Sequence, residues 1–471
     1  MTSAATYPNI SDWLDAHREE LIQKSCYIFE HPETAYKEKL SSKCLADYLE
    51  TQGFQVAWNT AGIETAFTAT WTNLEAGTSA VHPAGNPNTA TLILNITSDT
   101  VSLNPVEKSD IVSNDSISEA KEIPVIGFLA EYDALPEIGH ACGHNLLGTA
   151  VCGAACALKA DYEASGEPIV IRVYGCPAEE IMSGKIVMNH QGIFNDLSLA
   201  VTWHPFDRNR VSNDIWQAQD LKNYTFHGVS AHASRSPEDG RSALDAAELM
   251  NVGVNYLREH VPDDVRMHYA YIDNGIPANV VPDIAKTNYF IRSMKRSRTE
   301  DASARVDACA KGAAMMTGTT VEIELLRSGM EMKVNRPLVE IYYEAMTHIP
   351  TPEYTDEELD FAKDITEKAG LVNNGKYFAG LYPLEDHPVP LSIGTDASDV
   401  SHTVPMITIS AATMCHGTAL HHWAAREQAG MSIGHKGMLY AARCMAEGTK
   451  LLLSKPEYLQ KAWDYHNSNE D

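Results

Sequence analysis

From residue 123 onward the chain keeps returning to one pattern: a short apolar run, a polar cluster, then a helix-like stretch. The runs are 123–129, 169–174, 197–203 and 404–411. Each is rich in Val, Ile or Leu and bounded by polar or turn residues, so each reads as a buried strand. Apolar strands alternating with helices imply an α/β domain whose sheet is mostly parallel and covered on both faces. In such sheets ligands bind beyond the carboxyl ends of the strands.

The pattern changes elsewhere. Residues 11–49 read as two amphipathic helices broken near His31-Pro32, and Gly53 ends the second before a strand at 54–58. Residues 72–122 are rich in Ser, Asn, Thr and Pro. Their one strand-like piece is 91–96, and the segment is expected to be a long, partly mobile surface excursion within the first domain. Residues 219–328 have their own rhythm: strand 221–229, helix 241–260, strands 266–274 and 284–294, helix 299–316, strand 320–327. That βαββαβ order is the ferredoxin-like plan. It predicts a second domain inserted at 219–328 into a first domain made of 1–218 and 329–471. Residues 328–337 carry the chain back to a helical region, a Gly-containing segment at 393–401 and the last strand. A helix at 434–453 is expected to close the fold.

Composition narrows the function. The 471 residues suit two domains, and 44% hydrophobic residues can fill a sizeable core. The formal net charge is −27, and there is no long basic run. This argues against nucleic acid or an anionic membrane as partner. The nine cysteines are scattered and odd in number, which reads as reduced thiols in a cytoplasmic protein. The N-terminus shows no signal-peptide pattern. No apolar run approaches the roughly 18 residues of a membrane span. The Asn-x-Ser/Thr triplets at Asn9, Asn95, Asn114 and Asn223 read as chance matches.

The chemistry gathers where strands end. After the first run come Asp133, Glu137, His140, Cys142 and His144, then small and apolar residues of a tightly packed helix. Cys142 and His144 thus sit where a strand gives way to a helix, a place whose free N–H groups favour a thiolate. The second strand is followed by Glu179-Glu180, the third by His204, the fourth by His421-His422. Four strands each ending in metal-binding residue types are hard to assign to chance. In extended backbone the two glutamates would point to opposite sides, so that one can bind metal while the other faces a water. Asp133 is expected to orient His144.

The stretches EYDALP, GHACGHNLLGTA, YGCPAEE, TWHP, GVSAHAS, GRSALDA, NVVP and GTALHHW together resemble the amidohydrolase branch of the aminoacylase and carboxypeptidase-G-type metallopeptidases. The resemblance spans nearly the whole chain. It departs in the long 72–122 excursion, in a short loop between Leu135 and Gly139, and at His402, where an aromatic residue would be expected. It implies a zinc-exopeptidase-like catalytic domain with a ferredoxin-like dimerisation or lid domain. It implies two divalent ions, zinc or manganese, held by Cys142 as the bridging ligand with His144, Glu180, His204 and His421. The GT-x-LH-x-W pattern selects His421 over His422, and His140 becomes either a residue supporting the ligands from behind or a structural one. Glu179 becomes the general base. His232 becomes an oxyanion donor reaching in from a partner protomer, which implies a homodimer. Asn279 and Arg292 become ligands of the substrate carboxylate. The implied reaction is amide hydrolysis that frees an amino acid, such as glutamate, from an N-acyl or N-aroyl conjugate. An exo-acting dipeptidase is the sibling reading, and the need for a second, different polypeptide stays open. The rival from another class is a non-catalytic carboxylate-binding scaffold, against which stands the presence of Glu179 and every expected ligand.

Overall fold

The computed structural model describes residues 7–75, 79–81, 91–96, 101–106, 121–273, 277–372, 377–378 and 380–468. The chain forms two compact units. The first comprises Met1–Asn213, Val334–Pro388 and Val400–Asp471.

Its centre is a seven-stranded sheet. Four strands are parallel, in the order Val170–Cys176, Val125–Glu131, Leu199–Phe206, Met406–Ala412. Antiparallel strands extend both edges: Phe67–Thr72 and then Gln55–Trp58 on one side, Arg210–Val211 on the other. Every residue of Val125–Glu131, Val170–Cys176 and Met406–Ala412 is buried. This matches their near-continuous apolar sequence, since a strand covered on both faces has no reason to alternate. The helix His144–Ser165 follows the first parallel strand and is buried along most of its length. It packs so closely that a Cβ on Gly148 would lie 2.6 Å from the carbonyl oxygen of Glu131.

Three local expectations change. The first predicted helix is two, Pro8–Ala16 and Arg18–Glu30, because His17 leaves helical geometry and caps back onto Trp13. The 72–122 segment carries more strand than 91–96 alone. Ser79–Val81, Thr91–Ile96, Val101–Val106 and Lys121–Glu122 form a four-stranded sheet. Val101–Val106 contains Pro105, which breaks the sequence signal but is tolerated because this is an edge strand. The expected mobility falls on connecting residues outside the described ones. Finally, the helix Ser432–Leu453 is not the last, since Pro456–Asn467 follows it.

The second unit is Asp214–Lys333 with Val389–Asp399. It runs strand Ala218–His227, helix Ala243–Leu257, strands Arg266–Asp273 and Ile284–Ser293, helix Arg296–Thr317, strand Thr320–Gly329. The antiparallel sheet places Ala218–His227 between Ile284–Ser293 and Thr320–Gly329, with Arg266–Asp273 at the edge. This is the ferredoxin-like arrangement. Tyr224, Tyr289, Met250 and Val306 are among the side chains buried between sheet and helices. The unit reaches beyond 219–328 because Asp214–Trp216 pairs in parallel with Val389–Leu391, a strand far along the chain. Among the described residues no helix is long and apolar enough to cross a membrane.

Candidate metal centre

The parallel strands Val125–Glu131, Val170–Cys176, Leu199–Phe206 and Met406–Ala412 deliver their next residues to one rim. Two sets of donor atoms form there, each with all atoms within 4.8 Å of one another: Cys142, His144 and His204, and Cys142, Glu180 and His421. Cys142 belongs to both. A third set with the same spacing joins Glu131, His144 and Glu179.

The histidines are held in a metal-binding tautomer. His144 Nδ1 lies 3.0 Å from Asp133 Oδ1 and 3.1 Å from the Asp133 carbonyl oxygen, so this nitrogen carries the proton and donates it. Nε2 has no hydrogen-bond partner although fully buried, and in the neutral ring it keeps its lone pair. His204 follows the same scheme. Its Nδ1 donates to the Pro205 carbonyl at 2.8 Å, and its Nε2 lies 3.5 Å from Cys142 Sγ. Fixing one ring nitrogen in this way aims the other at an ion. His421 is exposed, in left-handed backbone with φ 60°, and its Nε2 lies 3.3 Å from Glu180 Oε2. Its backbone N–H donates to the Ala141 carbonyl at 3.1 Å, which ties it to the Cys142 loop.

The glutamates arrive differently from the extended geometry expected. The strand stops at Cys176, Ala178 is left-handed with φ 61°, and Glu179-Glu180 lie in a turn. A Cβ on Gly184 would meet the Pro177 carbonyl oxygen at 1.8 Å, so the loop closes on itself only with glycine there. The buried Glu38 carboxylate accepts the Ala178 N–H at 2.9 Å, and Asp133 Oδ2 accepts the Glu180 N–H at 2.9 Å. The turn, not strand alternation, separates the two side chains. Glu179 Oε2 lies 3.8 Å from His144 Nε2, while Glu180 Oε2 faces His421.

Burial works against the helix-terminus argument for a thiolate. Burial pushes the Cys142 thiol well up, and the Glu180 charge adds to that. Burial wins because the sulfur lies in the loop before Gly143, the cap of the helix, and is almost wholly enclosed. A cation, which binds the thiolate form, would have to displace that proton. His140 is buried with Nε2 3.1 Å from the Ile28 carbonyl oxygen, a structural contact. Orphaned buried atoms on His144, Glu131 and Glu180, beside a thiol and imidazoles, make this donor set fit divalent metal.

Two groups here escape sequence reading. Glu131 ends its strand two residues before Asp133, and both carboxylates reach the His144 ring, Glu131 at Nε2 and Asp133 at Nδ1. Its Oε2 lies 3.4 Å from His144 Nε2, and its Oε1 2.8 Å from the fully buried Lys185 Nζ. The Glu131–Asp133 spacing was the available signal. Nothing local marks Lys185.

In the second unit, His232 is exposed, and its Nδ1 accepts the N–H groups of Ser234 and Arg235 at 3.3 and 3.2 Å. The ring proton of neutral His232 therefore sits on Nε2, which makes that atom a donor. Asn279 is beside it, since the Ala233 N–H donates to the Asn279 carbonyl at 3.0 Å and His232 bridges Val280. Arg292 is not. It lies near the far end of the Ile284–Ser293 strand, roughly 25 Å along it, with its guanidinium 3.7 Å from the centre of the Phe290 ring.

Comparisons with known proteins agree with this architecture. The peptidase dimerisation domain matches residues 223–315. One of the named chains of the p-aminobenzoyl-glutamate hydrolase of Escherichia coli K12 is 34% identical over 507 residues, spanning 99% of this chain and 95% of its own length. The Xaa-Arg dipeptidase of Mus musculus is 34% identical over 201 residues, 42% of this chain and 46% of that one. Among solved structures, a dinuclear metal-binding peptidase of the M20 family from Bacillus subtilis matches with a TM-score of 0.57 at 16% identity, covering 93% of this chain and 99% of that one. Full-length similarity at this level, the matched dimerisation domain and the shared fold lead to one conclusion: this chain belongs to the M20 family of metal-dependent amidohydrolases and peptidases.

Proposed function

We propose that this protein is a dinuclear hydrolase that frees an amino acid, such as glutamate, from an N-acyl or N-aroyl conjugate of the aminobenzoyl-glutamate kind. The observation that carries the reading is the sharing of Cys142 between two sets of donors. In this reading Cys142, His144 and His204 would hold one ion, and Cys142, Glu180 and His421 the other. A thiolate with imidazoles suits zinc, and the carboxylates admit manganese. When bound, such ions polarise the amide carbonyl and acidify the attacking water.

The chain's own groups do the rest. Glu179 takes the proton of the attacking water and returns it to the leaving nitrogen. Asp133 keeps His144 in its tautomer. His232 Nε2–H donates to the oxyanion as it forms. Arg292 and Asn279 take the substrate carboxylate, the guanidinium in a two-pronged grip. A small substrate is far shorter than the strand separating Asn279 from Arg292. One substrate meets both only if two copies contribute, which supports a homodimer with His232 and Asn279 donated together by the partner. The Escherichia coli enzyme is named for two different chains, both similar to this one, which keeps a hetero-oligomer as the rival assembly. Nine free cysteines fit a reducing, cytoplasmic setting.

The test is metal content per chain together with hydrolysis of p-aminobenzoyl-glutamate and of ordinary dipeptides, before and after chelation. Two ions, loss on chelation and recovery with zinc or manganese are expected. Equal turnover by metal-free protein would end the reading. Fast cleavage of dipeptides with none of aroyl-glutamates would shift it to the dipeptidase named by the mouse relative.

A further inference from the structure

Glu131 lies outside the ligand set just described, yet it faces the same space. It is 3% exposed, its Oε1 is 2.8 Å from Lys185 Nζ, and its Oε2 is 3.4 Å from His144 Nε2 without a hydrogen-bond partner. His144 commits its Nδ1 proton to Asp133, so Nε2 is the ring nitrogen left facing Glu131. A carboxylate oxygen and an imidazole lone pair held face to face in a buried site repel each other. The arrangement is favourable only with a positive charge between them: a second ring proton, which the neighbouring Cys142 and Asp133 favour against burial, or a bound cation that replaces that proton. An ordinary buried ion pair would instead satisfy both oxygens of the glutamate.

We propose that Glu131 is a sixth protein ligand, binding through Oε2 the same ion as His144, and that Lys185 is the positioning residue that fixes which oxygen faces that ion. The inference rests on the dinuclear reading above. Ligating carboxylates are commonly held by a second hydrogen-bonding group on their other oxygen, and Lys185 stands in that place. Glu131 is the closer of the two carboxylates near His144 Nε2, at 3.4 Å against 3.8 Å for Glu179. Glu179 is thereby left to its proton-transfer role. Gly148 belongs to the same device, since its missing Cβ lets the helix seat against the Glu131 carbonyl.

The decisive experiment is a crystal structure of the wild-type protein loaded with zinc, with zinc titration of Glu131→Gln/Lys185→Met as the second arm. The double variant removes both buried charges together, so no ammonium is left unpaired. The proposal expects Glu131 Oε2 within about 2.3 Å of an ion. In the double variant it expects one of two zinc equivalents weakened by about 10- to 100-fold, at unchanged secondary structure. Ions held by Cys142 with Oε2 beyond about 3 Å would overturn the inference and leave the hydrolase reading standing. Wild-type affinity for both equivalents in the double variant would overturn it as well. A wild-type protein that takes up no zinc or manganese would overturn both. Should the double variant not fold, the distance in the wild-type structure decides.

Discussion

Asp133 holds His144 by its Nδ1 at 3.0 Å, and the other oxygen of the same carboxylate accepts the Glu180 N–H at 2.9 Å. One buried side chain thus orients a residue from each of two separate loops. Asp133→Asn can still accept from one of them, but its amide nitrogen meets the other as donor against donor. We expect about 10- to 100-fold weaker zinc binding with little change in secondary structure. Equilibrium titration with zinc checks this, and unchanged affinity would show that Asp133 only fills space.

Glu179→Gln separates chemistry from binding. The amide is nearly isosteric but cannot take a proton. Turnover should fall by about two to four orders of magnitude, with KM and metal stoichiometry close to wild type. Steady-state kinetics on p-aminobenzoyl-glutamate beside metal analysis gives the answer. Loss of metal in this variant would reassign Glu179 as a ligand.

The assembly is tested by mixing two inactive variants. Glu179→Gln and His232→Ala each disable every site in their own homodimers if His232 acts across the interface. After exchange of protomers about half of the dimers are mixed, and each mixed dimer has one intact site, so about a quarter of wild-type activity should return. No recovery despite demonstrated exchange would mean that His232 serves its own chain or none.

Glu38 makes stability depend on pH. Burial raises its carboxyl to about 7, with the charge of Asp133 adding to it, against hydrogen bonds from its own backbone, Thr65 and Tyr36. In the unfolded chain the value is about 4.3. The folded value is the higher one. Its stabilising contribution is therefore complete below about pH 4.3 and is lost as pH rises through 7, up to roughly 4 kcal/mol. Glu38→Gln keeps the carbonyl that accepts from Tyr36 and Ala178 and carries no charge. Urea unfolding of both proteins should show the variant gaining on wild type between pH 5 and 8. A difference that stays flat with pH would contradict the burial argument.

The sequence on its own determined the repeating strand-and-helix core, the βαββαβ insertion and the residue types that end each central strand. These are local properties: apolar runs, periodicity and turn residues act within a few positions of themselves. Cys142, His144, His204 and the pairs Glu179-Glu180 and His421-His422 stood out because each follows such a run, and the family resemblance chose within the pairs. The tertiary structure alone decided how side chains meet at the rim. It put Glu179 and Glu180 in a turn started by a left-handed Ala178, enclosed the Cys142 sulfur, set Arg292 far along its strand from Asn279, and paired Glu131 with Lys185. No periodicity encodes these relations. The direction of a side chain beyond a strand's end, and the partner of a buried charge, depend on backbone turns and neighbours brought together only when the whole chain has packed.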